Sequence, residues 1–220
     1  MNEALDRKNK SIEILKKNAI PYIEHLPVIE TKEETEMKTK EEIAQRAVCC
    51  LVSIQHSFDI INGDDVKGSY EFFHGMLKTW GLLDKLSPNE KVLFTGKLEE
   101  NKIQVFPWRY EAYWVLVWAL GFVKELTLPK ECCDGQQAID IVSQYQSFQD
   151  FLAATRPRTQ DQILDEADLI FRIRWACVDA SLKGQDAPAG INPDVAMERH
   201  MALNWLIGYD DDWDDTSIDT

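Results

Sequence analysis

The residues best suited to chemistry fall in two C-terminal segments, 163–183 and 193–207. In the first, Asp165, Asp168, Arg172, Asp179 and Lys183 share one strip ~60° wide at helical spacing. Asp168 precedes Arg172 by one helical turn, the favoured orientation for an ion pair. Ile163, Leu164, Ile170, Phe171, Ile173 and Trp175 occupy the rest of the circumference, with Arg174 alone among them. A helix this apolar is central, so its polar strip is either a thin solvent window or an internal seam. In the second segment Val195, Met197, Met201, Leu203, Trp205, Leu206 and Ile207 spread all round the wheel. Glu198, Arg199, His200 and Asn204 must then sit close to core residues. Buried charges persist only when they are paired and hydrogen-bonded. Asp168, Arg172, Glu198, Arg199, His200 and Asn204 are therefore expected to form an internal polar network. Its simplest role is to hold helices in register. Its chemical role, if it has one, falls to His200 as acid–base group with Glu198 or Asp168 as carboxylate partner, and to Arg172, Arg199 and Asn204 as binding groups.

Other constellations are weaker. Arg109 and Glu111 stand among Trp108, Tyr110, Tyr113, Trp114 and Trp118, a composition that suits a pocket of apolar walls and a few polar groups, although residues two apart face differently. Glu71-Phe-Phe-His74 is a single E-x-x-H pair, whereas a di-iron bundle needs two such pairs and two further Glu. Asp210-Asp211-Asp212-Trp213-Asp214 contains D-D-x-x-D, the string with which helical prenyl-transfer enzymes hold Mg²⁺ and diphosphate. Here it follows Gly208, near the end of the sequence and without a second metal motif. The five cysteines lack the C-x₂₋₄-C spacing of a zinc site. No G-x-S-x-G, H-E-x-x-H or Walker loop occurs. No metal and no cofactor is expected.

Trp213 among aspartates carries its own message, because a purely solubilising tail needs no Trp. Residues 208–220 are expected to dock on the domain through Trp213, with Asp214, Asp215 or Asp219 against Arg172, Arg174 or Arg199.

The elements that must position these groups read as helices. One is predicted from about Glu3 to Asn18, ending before Pro21; together with the charged loop behind it, it makes residues 1–38 peripheral. Thr39-Lys-Glu-Glu42 is a capping box that opens a helix to about Ile61. A turn at 62–65 precedes a helix from Val66 to Trp80, and Ser87-Pro-Asn-Glu90 caps a short one. Residues 97–107 are the one stretch suited to a small hairpin. An apolar helix is predicted over 108–124. Caps at Asp134 and Thr159 open helices over 136–154 and 161–183, and Pro193 starts the last. The expectation is a single all-α domain, 1–220, a bundle of about eight helices.

Composition limits the partners. With 24 Lys+Arg against 38 Asp+Glu the net charge is −14, which leaves no basic surplus to release counterions from nucleic acid or to dock on anionic membrane. Six Asp of the tail, 210–219, carry much of it. The longest apolar run, 112–123, is too short to span a bilayer, which needs about 20 residues. The N-terminus has no apolar h-region. With an odd number of cysteines, these features suggest a cytoplasmic protein with reduced thiols.

The C-terminal third also carries a resemblance. Ile163-Leu-Asp-Glu-Ala-Asp-Leu-Ile-Phe-Arg172, then Trp175 and Asp179, Pro188-Ala-Gly190, Glu198-Arg-His200, Ala202-Leu-Asn-Trp-Leu-Ile207, Trp213-Asp-Asp215 and Asp219-Thr220 resemble the bacterial Domain of Unknown Function 4272 family. Leu26-Pro27, Glu41-Glu42, Arg46-Ala47, Arg109, Glu111 and Trp118-Ala-Leu-Gly121 extend the likeness over most of the chain. Arg174 stands where the family leads one to expect a histidine. The resemblance implies an α-helical, cytosolic, single-domain protein and no assigned activity. The function expected is that of an interaction or accessory protein whose acidic surface engages a protein partner. The alternative is an enzyme or small-molecule binder built on His200, Glu198 and Asp168. The oligomeric state is left open.

Overall fold

The computed structural model describes residues 3–219, so Thr220 of the tail lies outside the described residues. Ten α-helices and three short 3₁₀ turns account for the regular structure, with no strand among the described residues. None of the described helices is long and apolar enough to cross a membrane.

The chain divides into two compact units that interleave in sequence: Thr39–Lys124 with Cys133–Pro157, and Met1–Lys38 with Glu125–Cys132 and Arg158–Thr220. The first is built around α2 (Lys40–Asn62), opened by the Thr39–Glu42 capping box and closed by Gly63. α2 packs on α3 (Val66–Trp80), α4 (Pro88–Leu93) and α6 (Arg109–Ala119). The Arg46 guanidinium of α2 meets the Glu90 carboxylate of α4, both buried. Glu90 also closes the α4 capping box, so one carboxylate serves a helix end and a buried cation.

The predicted hairpin at 97–107 is absent. This stretch forms a short helix, α5 (Glu100–Ile103), and a 3₁₀ turn at Phe106–Trp108. The Asn101 side chain accepts from the Lys102 amide (2.9 Å), and the Lys102 and Gln104 amides donate to the carbonyls of Glu99 and Glu100. Local bonds of this kind compete with strand pairing, and Pro107 could not donate to a ladder. Two predicted helices are also shorter. α6 ends at Ala119 because Gly121 turns left-handed (φ 87°), where a Cβ would strike the Arg156 carbonyl oxygen at 2.1 Å. The helix predicted over 136–154 is two, α7 (Gly135–Ser143) and α8 (Phe148–Ala154), because the Ser147 hydroxyl caps the Asp150 amide and starts afresh.

The second unit centres on α9 (Gln160–Leu182), which packs against α10 (Pro193–Leu206) and α1 (Glu3–Lys17). Thr159 and Asn192 cap α9 and α10. α10 is buried over almost its whole circumference, as its apolar scatter requires. At its end Gly208 (φ 72°) lies so close to Glu36 that a Cβ would stand 2.4 Å from the Glu36 carbonyl oxygen. The neighbouring Lys38 amide donates to the Leu206 carbonyl (3.0 Å).

Candidate functional site

All six members of the expected network are buried: Asp168, Arg172, Glu198, Arg199, His200 and Asn204. The structure brings them together in α9 and α10 but gives them separate tasks. Asp168 and Arg172 form a bidentate pair, Nε to Oδ2 at 2.9 Å and Nη2 to Oδ1 at 2.7 Å. Arg172 Nη2 also donates to the Pro27 carbonyl at 3.0 Å. Arg199 donates from Nη1 to the Thr127 carbonyl at 2.7 Å. Asn204 donates from Nδ2 to the Ser217 carbonyl of the tail at 2.8 Å.

His200 differs from the rest. Its ring is 2% exposed and its Nδ1 has no hydrogen-bond partner. Burial, helped by the nearby Arg174 charge, pushes the imidazole down to about 3, so it is neutral at any physiological pH. The Phe171 ring stands 6.1 Å away. His200 lines a cavity of about 340 Å³ together with Phe171, Asn204, Ile207, Tyr209, Asp219 and the segment Leu26–Glu30.

That segment is one wall of the cavity, and cations hold it in place. Lys8 Nζ donates to the Leu26 carbonyl (2.7 Å), Arg172 to the Pro27 carbonyl, and Arg7 Nη1 to the Glu30 carbonyl (3.3 Å). Pro27 biases Leu26 toward extended backbone, which suits a wall whose carbonyls point at side chains from neighbouring helices. Asp168 and Arg172 thus position the wall without lining the cavity. Glu198, the expected carboxylate partner of His200, does not line it either.

The tail closes another side. Trp213 is buried and meets Trp205 edge to face at 5.4 Å. Asp210 accepts from the Asp212 and Ser217 amides, which folds the tail on itself. A charge pair accompanies the Trp213 contact. Asp211 pairs with Lys38, whose ammonium also lies over the Trp205 ring at 5.4 Å. Arg172 is occupied by Asp168 and Pro27, and Arg174 turns to the Pro193 carbonyl (3.3 Å). Asp219 instead reaches the cavity, bonded to the Ser217 hydroxyl at 3.1 Å. Asp215 is exposed and Asp214 half-buried.

Arg109 and Glu111 belong to the other unit, at the start of α6. Glu111 is buried and accepts from the Cys133 amide at 2.5 Å, and Arg109 is half-buried with its carbonyl facing the Cys50 thiol. His74 stacks on Tyr70 at 5.0 Å, and Glu71 pairs with Lys67. Among the described residues no group of three or more His, Cys, Asp or Glu is placed to hold a metal ion.

Phe171, Tyr209 and the Leu26–Glu30 wall carried no chemical signal in the sequence. The Leu26-Pro27 pair was the hint available, because the wall is held by cations distant in sequence.

No curated protein and no solved structure matches the chain. A family model described as a domain of unknown function (DUF4272) matches residues 7–216, a span that contains the cavity wall, α9, α10 and the docked Trp213. The chain therefore belongs to the DUF4272 family.

Proposed function

We propose that the chain is a small-molecule binding protein whose site is the cavity beside His200. One observation carries this reading: His200, a buried imidazole whose Nδ1 has no hydrogen-bond partner, is among the residues that line a cavity. Leaving a buried polar atom unsatisfied costs about 1–3 kcal/mol, which an apolar residue at the same place would avoid. A ligand that hydrogen-bonds His200 removes the cost on binding. The rest of the lining sets the chemistry. Glu30 and Asp219 supply carboxylates, Asn204 an amide and Tyr209 a hydroxyl, against Leu26, Ile207 and Phe171. With no cation in the lining, the cavity favours an uncharged or cationic molecule rich in hydrogen-bond donors and disfavours an anion. A ligand-observed NMR screen of small amides and carboxylates tests this. Hits are expected among the amides and lost in His200→Leu. Hits that bind His200→Leu equally well, or only carboxylates binding, would overturn it. Free cysteines fit a reducing, cytoplasmic setting for this role.

A second reading is the protein partner suggested by the net charge. It is supported by an apolar groove of about 780 Å³ between α2, α3 and α7, with Phe72 66% exposed on its rim. The occupant it suits is an amphipathic helix with a basic polar face, complementing the charge of −14. An alternating Leu/Lys helical peptide should bind the protein and lose about tenfold on Phe72→Ser. Equal binding by the variant would reduce the effect to charge attraction and remove this reading.

A further inference from the structure

α9 holds a carboxyl that the polar strip does not include. Ile163 precedes Glu166 by three residues, and Ile170 and Ile173 follow at four and seven, so helix geometry sets this carboxyl inside an isoleucine stripe. Glu166 lines a separate cavity of about 200 Å³, walled by Ile14 of α1, Leu126 and Leu128 of the loop, Ile170, Ile173, and Leu203 of α10. The carboxylate makes no hydrogen bond and no ion pair among the described residues. Arg199, on the same cavity, donates to the Thr127 carbonyl, and its charge and that of Arg158 act on Glu166 from a distance. Asp165 adds a negative charge from the same helix, while α1 and the 126–129 loop present only Ile14, Leu126, Thr127, Leu128 and Pro129. Burial outweighs the arginines and pushes the Glu166 carboxyl up to about 7.

An acid group with apolar walls and no internal partner suits a ligand with one positive end and a hydrocarbon body. We propose that this cavity binds a small aliphatic amine, its ammonium paired with Glu166 and its chain packed between the isoleucine and leucine walls. At about 30 Å³ per small group the space holds roughly six heavy atoms, the size of pentylamine. An acidic chain also draws cations toward such a cleft. This site is independent of the His200 cavity.

The test uses the full chain and n-pentylammonium, followed by calorimetry and by NMR shifts of α9 amides at pH 8. Saturable binding is expected, with 1-pentanol at least about tenfold weaker. Glu166→Gln should lower amine affinity about tenfold and leave the alcohol unchanged. In the wild type the amine affinity should fall about tenfold from pH 8 to pH 6, as the carboxyl takes up its proton while the amine stays charged. That comparison and the alcohol control stand even if the variant does not fold. His200→Leu should leave the binding intact. No saturable binding, equal affinity for amine and alcohol, an unaffected Glu166→Gln, or loss of binding in His200→Leu would each overturn the proposal.

Discussion

His56 and His200 are both 2% exposed, each on a long buried helix, and their surroundings are opposite. His56 has Nδ1 against the Ser69 hydroxyl at 2.7 Å and stacks on Phe94 at 4.8 Å, nearly parallel. It is a core histidine with its polar atom satisfied and its face covered. His200 has an unpartnered Nδ1 and a cavity at its side. Two buried ion pairs, Arg46–Glu90 and Asp168–Arg172, are likewise polar groups buried against a partner. Burial of a polar residue therefore does not mark a site in this molecule. His200 is set apart by an unpartnered ring nitrogen in a residue that also lines a cavity.

The largest test of that contrast is to manufacture a second unsatisfied group. Asp168→Ala strands the buried Arg172 cation and loosens its grip on Pro27, and it should cost about 3–5 kcal/mol in urea unfolding. A loss under about 1 kcal/mol would mean that the pair is solvated after all. Truncation after Tyr209 comes next. It removes Trp213 from Trp205 and the Ser217 acceptor from Asn204, and should cost about 3 kcal/mol, several degrees of Tm. An unchanged melt would detach the tail from the argument.

The two histidines can then be compared directly. His56→Leu forfeits the Ser69 bond and should destabilise by about 1 kcal/mol or somewhat more. His200→Leu forfeits nothing at Nδ1 and should be neutral or stabilising by up to about 1 kcal/mol. Equal losses in the two variants would erase the distinction on which the site rests.

A last test is one of pH. The His200 pKa falls from 6.5 in the unfolded chain to about 3 in the fold, so the unfolded state binds the extra proton between those values. Its contribution to stability is present above pH 6.5 and is lost as pH falls toward 3. Glu166 acts in the opposite sense. Its carboxyl is raised from 4.5 to about 7, so its contribution is present below pH 4.5 and is lost as pH rises through 7. His200→Leu should flatten the acid limb of the stability profile, and Glu166→Gln the limb between 4.5 and 7. Profiles unchanged by either variant would contradict the burial of these groups.

Much of this architecture is local and was therefore readable residue by residue. Thr39–Glu42, Ser87–Glu90 and Thr159–Gln162 state their own helix starts, because a side chain three residues from an orphan amide needs no distant partner. The Asp168–Arg172 pair is likewise one helical turn, and the apolar scatter along 193–207 already demanded that His200 and Asn204 be buried. Glu166, half-buried beside isoleucines of its own helix, lay outside the polar strip and drew no reading of its own. Residues 97–107 lacked such a signal, and their helical turns follow from weak local bonds that a composition reading does not weigh. What no pattern along the chain could supply is which buried polar atom lacks a partner. Arg172 finds Pro27, Asn204 finds Ser217 and Lys38 finds Asp211 across long sequence separations. Whether Nδ1 of His200 is satisfied depends on every one of those choices, since each distant donor or acceptor spent elsewhere is one that cannot reach it.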